Sequence, residues 1–338
     1  MIYSISHNDL DGYASQLIIK KYANINKHNI KMFNISRQSE IKNILDNIKL
    51  NSSDSLIITD ISIDNELSKY LNDLKIKILL VIDHHETSSD ISSKYNWYKY
   101  DNAKSATLLA FEYLLKDIVV EYEFIKYVNA YDLWLETDSC FLKGISLNSF
   151  FKEKSQHYIK QISDLRRDFV FYFIEKYSAE LTINNKIFDS EHSSYKIEKD
   201  FLGSKEDIPL DILISKKHYE YIVEHNLYID KTVNNYKIRV FYNMNIIFQN
   251  VLHMTLVDNK DISFVCHLSN QGSISFRSTD DRVNVENIAK TYFYGGGHRN
   301  ASAGKLSFVK NGSKIKKDTD LISLLLNDFD RIKNCTEA

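Results

Sequence analysis

The apolar positions of the first 135 residues come in short β-branched runs separated by amphipathic stretches, the alternation expected of βαβ units. The runs predict strands at Ile2–Ser6, Ile30–Ile35, Ser55–Thr59 and Ile76–Ile82. The stretches predict helices at Tyr13–Tyr22, Ser39–Ile48, Asn65–Leu74, Ser105–Lys116 and Glu121–Tyr131. Near-continuous apolar strands of this kind belong in parallel sheets covered on both faces. From about 140 to 232 the pattern turns helical and less regular. There Ile159, Ile162, Leu165, Phe169, Phe173 and Ile174 keep helical spacing and point to one long connecting helix over Lys154–Glu180. The last hundred residues predict strands at Tyr236–Tyr242, Ile262–His267, Ser273–Phe276 and Gly304–Phe308, with a helix at Val285–Tyr294. The expected fold is α/β: a mostly parallel sheet flanked by helices over 1–140, a helical connector over 141–232, and a smaller α/β domain over 233–338.

The chain has 338 residues, 43% hydrophobic and 26% charged, enough for two ordinary domains with a sizeable core. A formal charge of −2 offers no basic excess for a large duplex-binding surface, so duplex DNA is not an expected partner. Three cysteines, Cys140, Cys266 and Cys335, lie far apart and argue against a disulfide framework or a paired-cysteine zinc site. The first residues lack a signal-peptide pattern, and no apolar run reaches the ~20 residues that span a bilayer. The expectation is a cytoplasmic enzyme with no membrane contact. Exposed sheet edges would allow a homodimer.

Chemistry gathers at strand and helix ends. The Ile76–Ile82 run closes on Asp83-His84-His85-Glu86, and ligands of parallel sheets collect at the carboxyl ends of strands. The first strand exits into Ser6-His7-Asn8-Asp9-Leu10-Asp11-Gly12; alternation in an extended backbone would send His7, Asp9 and Asp11 to one face, with Gly12 allowing a tight turn. A bland reading makes that segment a polar loop with Asp11 as a cap. Asp60 after the third strand reads in isolation as a helix cap, and Asp132 as a solvated helix terminus. Adjacent His84 and His85 should face opposite ways, one toward a metal and the other toward substrate. Together the segments supply two or three imidazoles and four or five carboxylates. Burying so many like charges without cations would cost several kcal/mol per ion. Two divalent ions about 3.5–4 Å apart would resolve the repulsion, clamp a phosphoryl group and ionise a water. The mixed His/Asp set favours Mn2+, with Co2+, Fe2+, Zn2+ or Mg2+ as the other choices.

His7-x-Asp9-x-Asp11-Gly12, Asp60 after an apolar strand, Asp83-His84-His85 and Asp132, in this order, resemble the DHH phosphoesterase superfamily. Ser275-Phe276-Arg277-Ser278 and Gly295-Gly296-Gly297-His298-Arg299-Asn300-Ala301-Ser302-Ala303-Gly304 resemble its substrate-binding DHHA1 domain. The form Asn8-Asp9-Leu10-Asp11-Gly12 is similar to the oligoribonuclease B (nanoRNase) branch, although many relatives have His-x-x-x-Asp-x-Asp where this chain has His-x-Asp-x-Asp. The resemblance implies that His7 and Asp9 hold one metal, Asp11, His84 and Asp132 the other, and that Asp60 bridges. It implies further that His85 faces the scissile phosphate and that Asp83 supports the histidines. Arg277, Ser278, Gly295, Gly296, Gly297, His298 and Arg299 would bind substrate. Glycines let backbone N–H groups approach a phosphate; the bland alternative is a flexible helix end. Arg277 is the preferred anchor because Arg pairs with phosphate bidentately.

The implied activity is hydrolysis of short oligoribonucleotides from the 3′ end to 5′-mononucleotides. The alternatives are the same chemistry on linear dinucleotides, cyclic mononucleotides or adenosine 3′,5′-bisphosphate, or a nucleotide-binding regulator with a dead site. His253 and His267 lie in apolar segments and read as core histidines, and Trp134 is expected to pack behind the site.

Overall fold

The computed structural model describes residues 1–118, 122–157, 163–184, 190–203, 208–233, 236–242, 249–269, 272–279 and 282–306. Ile159, Ile162, Cys335 and Phe308 of the sequence reading lie outside them. Two compact units result, one of residues 1–155 and 167–198, the other of 156–166 and 199–338.

Unit 1 opens with β1 (Ile2–His7), α1 (Leu10–Ile25), β2 (Ile30–Ile35), α2 (Ser39–Ile48), β3 (Ser55–Thr59), α3 (Asn65–Asn72) and β4 (Ile78–Asp83). It continues with α4 (Ser89–Ser92), β5 (Tyr98–Tyr100), α5 (Ala106–Leu114), α6 (Glu123–Asp132) and α7 (Phe141–Lys154). The strands form one parallel sheet in the order β2-β1-β3-β4-β5. Ile5, Leu56, Ile58 and Val81 build the core on one face, and Ile2, Ile19, Ala23 and Ile57 a second core. Register pairs Ser6 with Thr59 and Thr59 with Ile82, so β1, β3 and β4 end level. The chain passes from β1 outward to β2 and returns on the other side at β3. That reversal opens a crevice at the carboxyl ends of β1 and β3, the usual ligand position in open α/β sheets. Short β5 and α7 were not anticipated.

The long helix expected over Lys154–Glu180 is not continuous. α7 ends at Lys154, a 3₁₀ turn covers Ser155–His157, and α8 starts at Ser163 and runs to Asn184, followed by α9 (Ser190–Phe201). Unit 2 carries α10 (Leu210–Glu224), β6 (Tyr228–Val233), β7 (Tyr236–Phe241), α11 (Gln249–Asp258), β8 (Phe264–Leu268), β9 (Ser273–Arg277), α12 (Val285–Tyr292), β10 (Gly296–His298) and β11 (Ala301–Lys305). Its sheet runs β10-β11-β9-β8-β7-β6, antiparallel except between β7 and β8. α12 closes one face over Phe264, Phe276 and Phe293, while α11 covers the other through Val251, Leu252 and Leu256 against Phe241 and Val265.

Candidate metal centre

β1 ends at His7, and the next segment bends rather than extends. Asp9 is the N-cap of α1, its Oδ1 accepting the Gly12 N–H at 3.0 Å, and its Oδ2 lies 2.6 Å from His7 Nδ1. Asp11 lies inside the first helical turn, so the two carboxylates part company. Asp11 is buried, and its oxygens accept the Ala106 and Thr107 N–H groups at 2.8 and 2.9 Å. The Ser105 N–H donates to Asn129 Oδ1 at 2.9 Å. The start of α5 is thus capped by side chains from α1 and α6, which anchors Asp11 on donors at the positive end of a helix. The bland reading made Asp11 the cap of its own helix; that part falls to Asp9.

Asp60 follows β3 in a left-handed conformation, φ 60°, which Asp adopts more readily than most residues. Its N–H donates to Ile82 O at 3.0 Å, tying it to the end of β4. The carboxylate is 3% exposed and does not cap the next helix; Asp64 caps α3. His84 Nε2 lies 3.3 Å from Asp60 Oδ1, 3.3 Å from Asp132 Oδ2 and 3.7 Å from Asp11 Oδ2. β4 stops at Asp83, so strand alternation does not reach the histidines. Their rings lie 4.5 Å apart, against the expectation of opposite faces.

Three donor sets emerge, each with its atoms mutually within 4.8 Å: His7–Asp9–Asp60, Asp11–His84–Asp132 and Asp60–His84–His85. The short His-x-Asp spacing therefore still brings His7 to Asp60. Burial and the charges of Asp11, Asp9 and Asp132 push Asp60 well above the carboxylate range, and burial with Asp11 and Asp9 pushes Asp132 up to about 8. Burial also raises Asp11, against the pull of His84 and the Thr107 donors. Asp60 Oδ2 and Asp132 Oδ2 are buried without a hydrogen-bond partner. Orphaned, mutually repelling buried carboxylates beside imidazoles fit divalent cations, which supply both the missing partner and the missing charge.

Asp83 is fully buried and plays another part. Its Oδ1 lies 2.7 Å from His85 Nδ1, and its Oδ2 accepts the Tyr98 hydroxyl at 3.1 Å and the Ser88 hydroxyl. Burial raises Asp83, but hydrogen bonding to His85 and Ser88 outweighs it, so Asp83 is a carboxylate and His85 is raised in return. Sequence reading missed Ser88 and Tyr98. The Trp97-Tyr98-Lys99-Tyr100 run was the available signal for β5. Trp134 does not pack behind the site: it is 58% exposed, its indole N–H donates to Glu136 at 2.9 Å, and its φ is 53°.

In unit 2 the glycine run enters a strand rather than forming a loose helix end. Gly296–His298 is β10, paired with β11. A Cβ on Gly295 would lie 1.8 Å from Ala303 O, and Gly297 has φ 145°; glycine is required by the tight strand pairing. Arg277 pairs with Ala301, and Ala301 with His298. Arg277 and His298 therefore lie in one row, about 10 Å apart across three strands, with only a methyl between them. Arg277 Nη1 donates to Phe276 O at 2.7 Å. His298 and Arg299 are exposed, whereas Ser278 is buried, its hydroxyl donating to Ser263 O and accepting from Val283 N–H.

A parallel sheet with overlapping His/Asp donor sets at its carboxyl edge defines an α/β domain with a candidate metal centre at that edge. Residues 1–134 match the DHH family, N-terminal domain. It is similar to the 3′,5′-cyclic-nucleotide phosphodiesterase of Helicobacter pylori, 23% identical over 351 residues that span 97% of this chain and 99% of that one. It is also similar to oligoribonuclease NrnB of Bacillus subtilis, 25% identical over 89% of this chain and 72% of that one. The fold is shared with the crystal structure of an uncharacterized Helicobacter pylori protein at TM-score 0.74 and 23% identity, covering 98% of this chain and 99% of that one. No helix among the described residues is long and apolar enough to cross a membrane.

Proposed function

We propose that this chain is a divalent-metal-dependent phosphodiesterase that hydrolyses the 3′,5′-phosphodiester of small nucleotides. The observation that carries the reading is the set of three His/Asp clusters linked to one another through Asp60 and His84. His7 and Asp9 would hold one ion, Asp11, His84 and Asp132 the other, with Asp60 serving both; Mn2+ is the first choice for so mixed a donor set. When bound, the ions supply positive charge for the phosphoryl oxygens and lower the pKa of a water. The Ala106 and Thr107 N–H groups hold Asp11 in orientation, and the Ile82 carbonyl fixes Asp60 through its N–H. His85, oriented by Asp83, would turn Nε2 toward the phosphoryl group and, as the imidazolium, donate a hydrogen bond to it as its negative charge grows. Within unit 2, Arg277, His298 and Arg299 would be the residues that bind the substrate.

A 3′,5′-cyclic mononucleotide is the first substrate reading, supported by the match that runs the length of the Helicobacter pylori phosphodiesterase. Short RNA, trimmed from the 3′ end to 5′-mononucleotides, is the second, supported by the similarity to NrnB. Both offer the same bond, and the net charge of −2 suits a substrate too short to need a long basic track.

The test is a Mn2+-dependent time course on cyclic AMP, cyclic GMP, linear dinucleotides and RNAs of two to about twenty-four nucleotides. Turnover of a cyclic mononucleotide supports the first reading, and stepwise loss of the shortest RNAs the second. Binding without hydrolysis of any of them in Mn2+ refutes the enzyme reading and leaves a regulator.

A further inference from the structure

His85 can serve a phosphate only if one ring nitrogen is held and the other is turned outward. Its Nδ1 is held by Asp83, whose carboxylate is fully buried while the His85 side chain is 46% exposed. A buried carboxylate on a single partner would be free to rotate and exchange its oxygens. Here it cannot, because both hydroxyl donors converge on Oδ2 and leave Oδ1 to the imidazole.

The backbone explains why. In the parallel register Tyr98 lies opposite Val81, and residues 81 and 83 share a face, so the buried Tyr98 side chain lies alongside Asp83. Ser88 closes the 3₁₀ turn Glu86–Ser88, its N–H donating to His85 O at 2.9 Å, and returns its hydroxyl to the same oxygen. Ser88 is fully buried and Tyr98 is 4% exposed. Neither hydroxyl is available to substrate.

We propose that Ser88 and Tyr98 are positioning residues that lock Asp83 Oδ1 onto His85 Nδ1, keeping the imidazole as its Nδ1–H tautomer with Nε2 presented to the phosphate. The inference rests on the phosphodiesterase reading for its kinetic consequence, but the tautomer it specifies is a property of the protein alone.

The experiment compares Tyr98→Phe, Ser88→Ala and the double variant, each with His85 intact and in a His85→Ala background. Each hydroxyl bonds a charged group, so each single variant should lower kcat about tenfold, and the pair more, with KM and Mn2+ affinity unchanged. In the His85→Ala background the same changes should cost nothing further. Two-bond ¹⁵N–¹H correlations of the metal-free protein should show His85 as Nδ1–H in the wild type and as mixed tautomers in the double variant. Equal losses with and without His85 would overturn the proposal, as would an unaltered tautomer with unaltered kcat. If the wild type cleaves no nucleotide, the phosphodiesterase reading fails, and the tautomer measurement still decides the positioning claim.

Discussion

Gly12→Ala is the most informative single change at the metal centre. Gly12 lies in the first turn of α1, where helix propensity alone favours alanine by roughly 0.5–1 kcal/mol. Propensity therefore predicts a more stable protein. The structure predicts the reverse. A Cβ there would lie 2.2 Å from His7 O and 2.7 Å from His7 C, well inside the 3.0 Å that such contacts keep. Gly12 cannot withdraw, because its carbonyl accepts the Ser6 and Ser15 hydroxyls at 2.9 Å each and its N–H is bonded to Asp9. The β1–α1 junction must open by about 0.8 Å. Overpacking of this kind costs ~1–3 kcal/mol. Less the propensity gain, a net loss of about 1–2 kcal/mol should lower Tm by roughly 2–8 °C. The displaced atoms belong to His7 and its pairing with Asp9, and a misplacement near 1 Å can cost about 10²-fold in rate. Differential scanning calorimetry and kcat/KM at saturating Mn2+ read both effects. A Tm at or above wild type with full activity would refute the close-approach argument.

Asp60→Asn should stabilise the metal-free protein, since it removes one of several repelling buried carboxylates, by about 2–4 °C for each kcal/mol relieved. It should also blunt the rise in Tm that Mn2+ gives the wild type; equal shifts in both proteins would count against Asp60 as a ligand. His218, buried on α10, has its pKa lowered by burial to about 4. The unfolded chain takes that proton first, so stability from this group is full above pH 6.5 and is lost as pH falls toward 4, by about 3 kcal/mol in all. Urea unfolding at pH 7 and pH 4.5 should show a shallower pH dependence in His218→Leu than in the wild type; parallel losses would show that His218 is not responsible.

Much of the metal centre was legible because it follows from where strands end. The β-branched runs located β1, β3 and β4, and each is followed by the acidic or imidazole residues that converge on the carboxyl edge of the sheet. Ser39–Ile48 and Ile30–Ile35 are found at the bounds their periodicity predicts, since one amphipathic face or one apolar run defines each. Three-residue β5 and β10 escaped: a Tyr-Lys-Tyr segment and a glycine pair are too short to establish a period, and only pairing with a neighbour makes them strands.

The identity of the donors, their order and the sheet edge that gathers them can be read along the chain, because those depend on local pattern and parallel topology. How the donors are shared out follows from the fold. The turn into α1 sends Asp9 to His7 and Asp11 to the start of α5. The left-handed backbone at Asp60 sets its carboxylate between both groups, and the end of β4 at Asp83 frees His84 and His85 to lie side by side. Tyr98 and Ser88 reach Asp83 from a neighbouring strand and a following turn. Each of these depends on contacts between segments distant in sequence or on a backbone angle, and neither leaves a periodic trace in the chain.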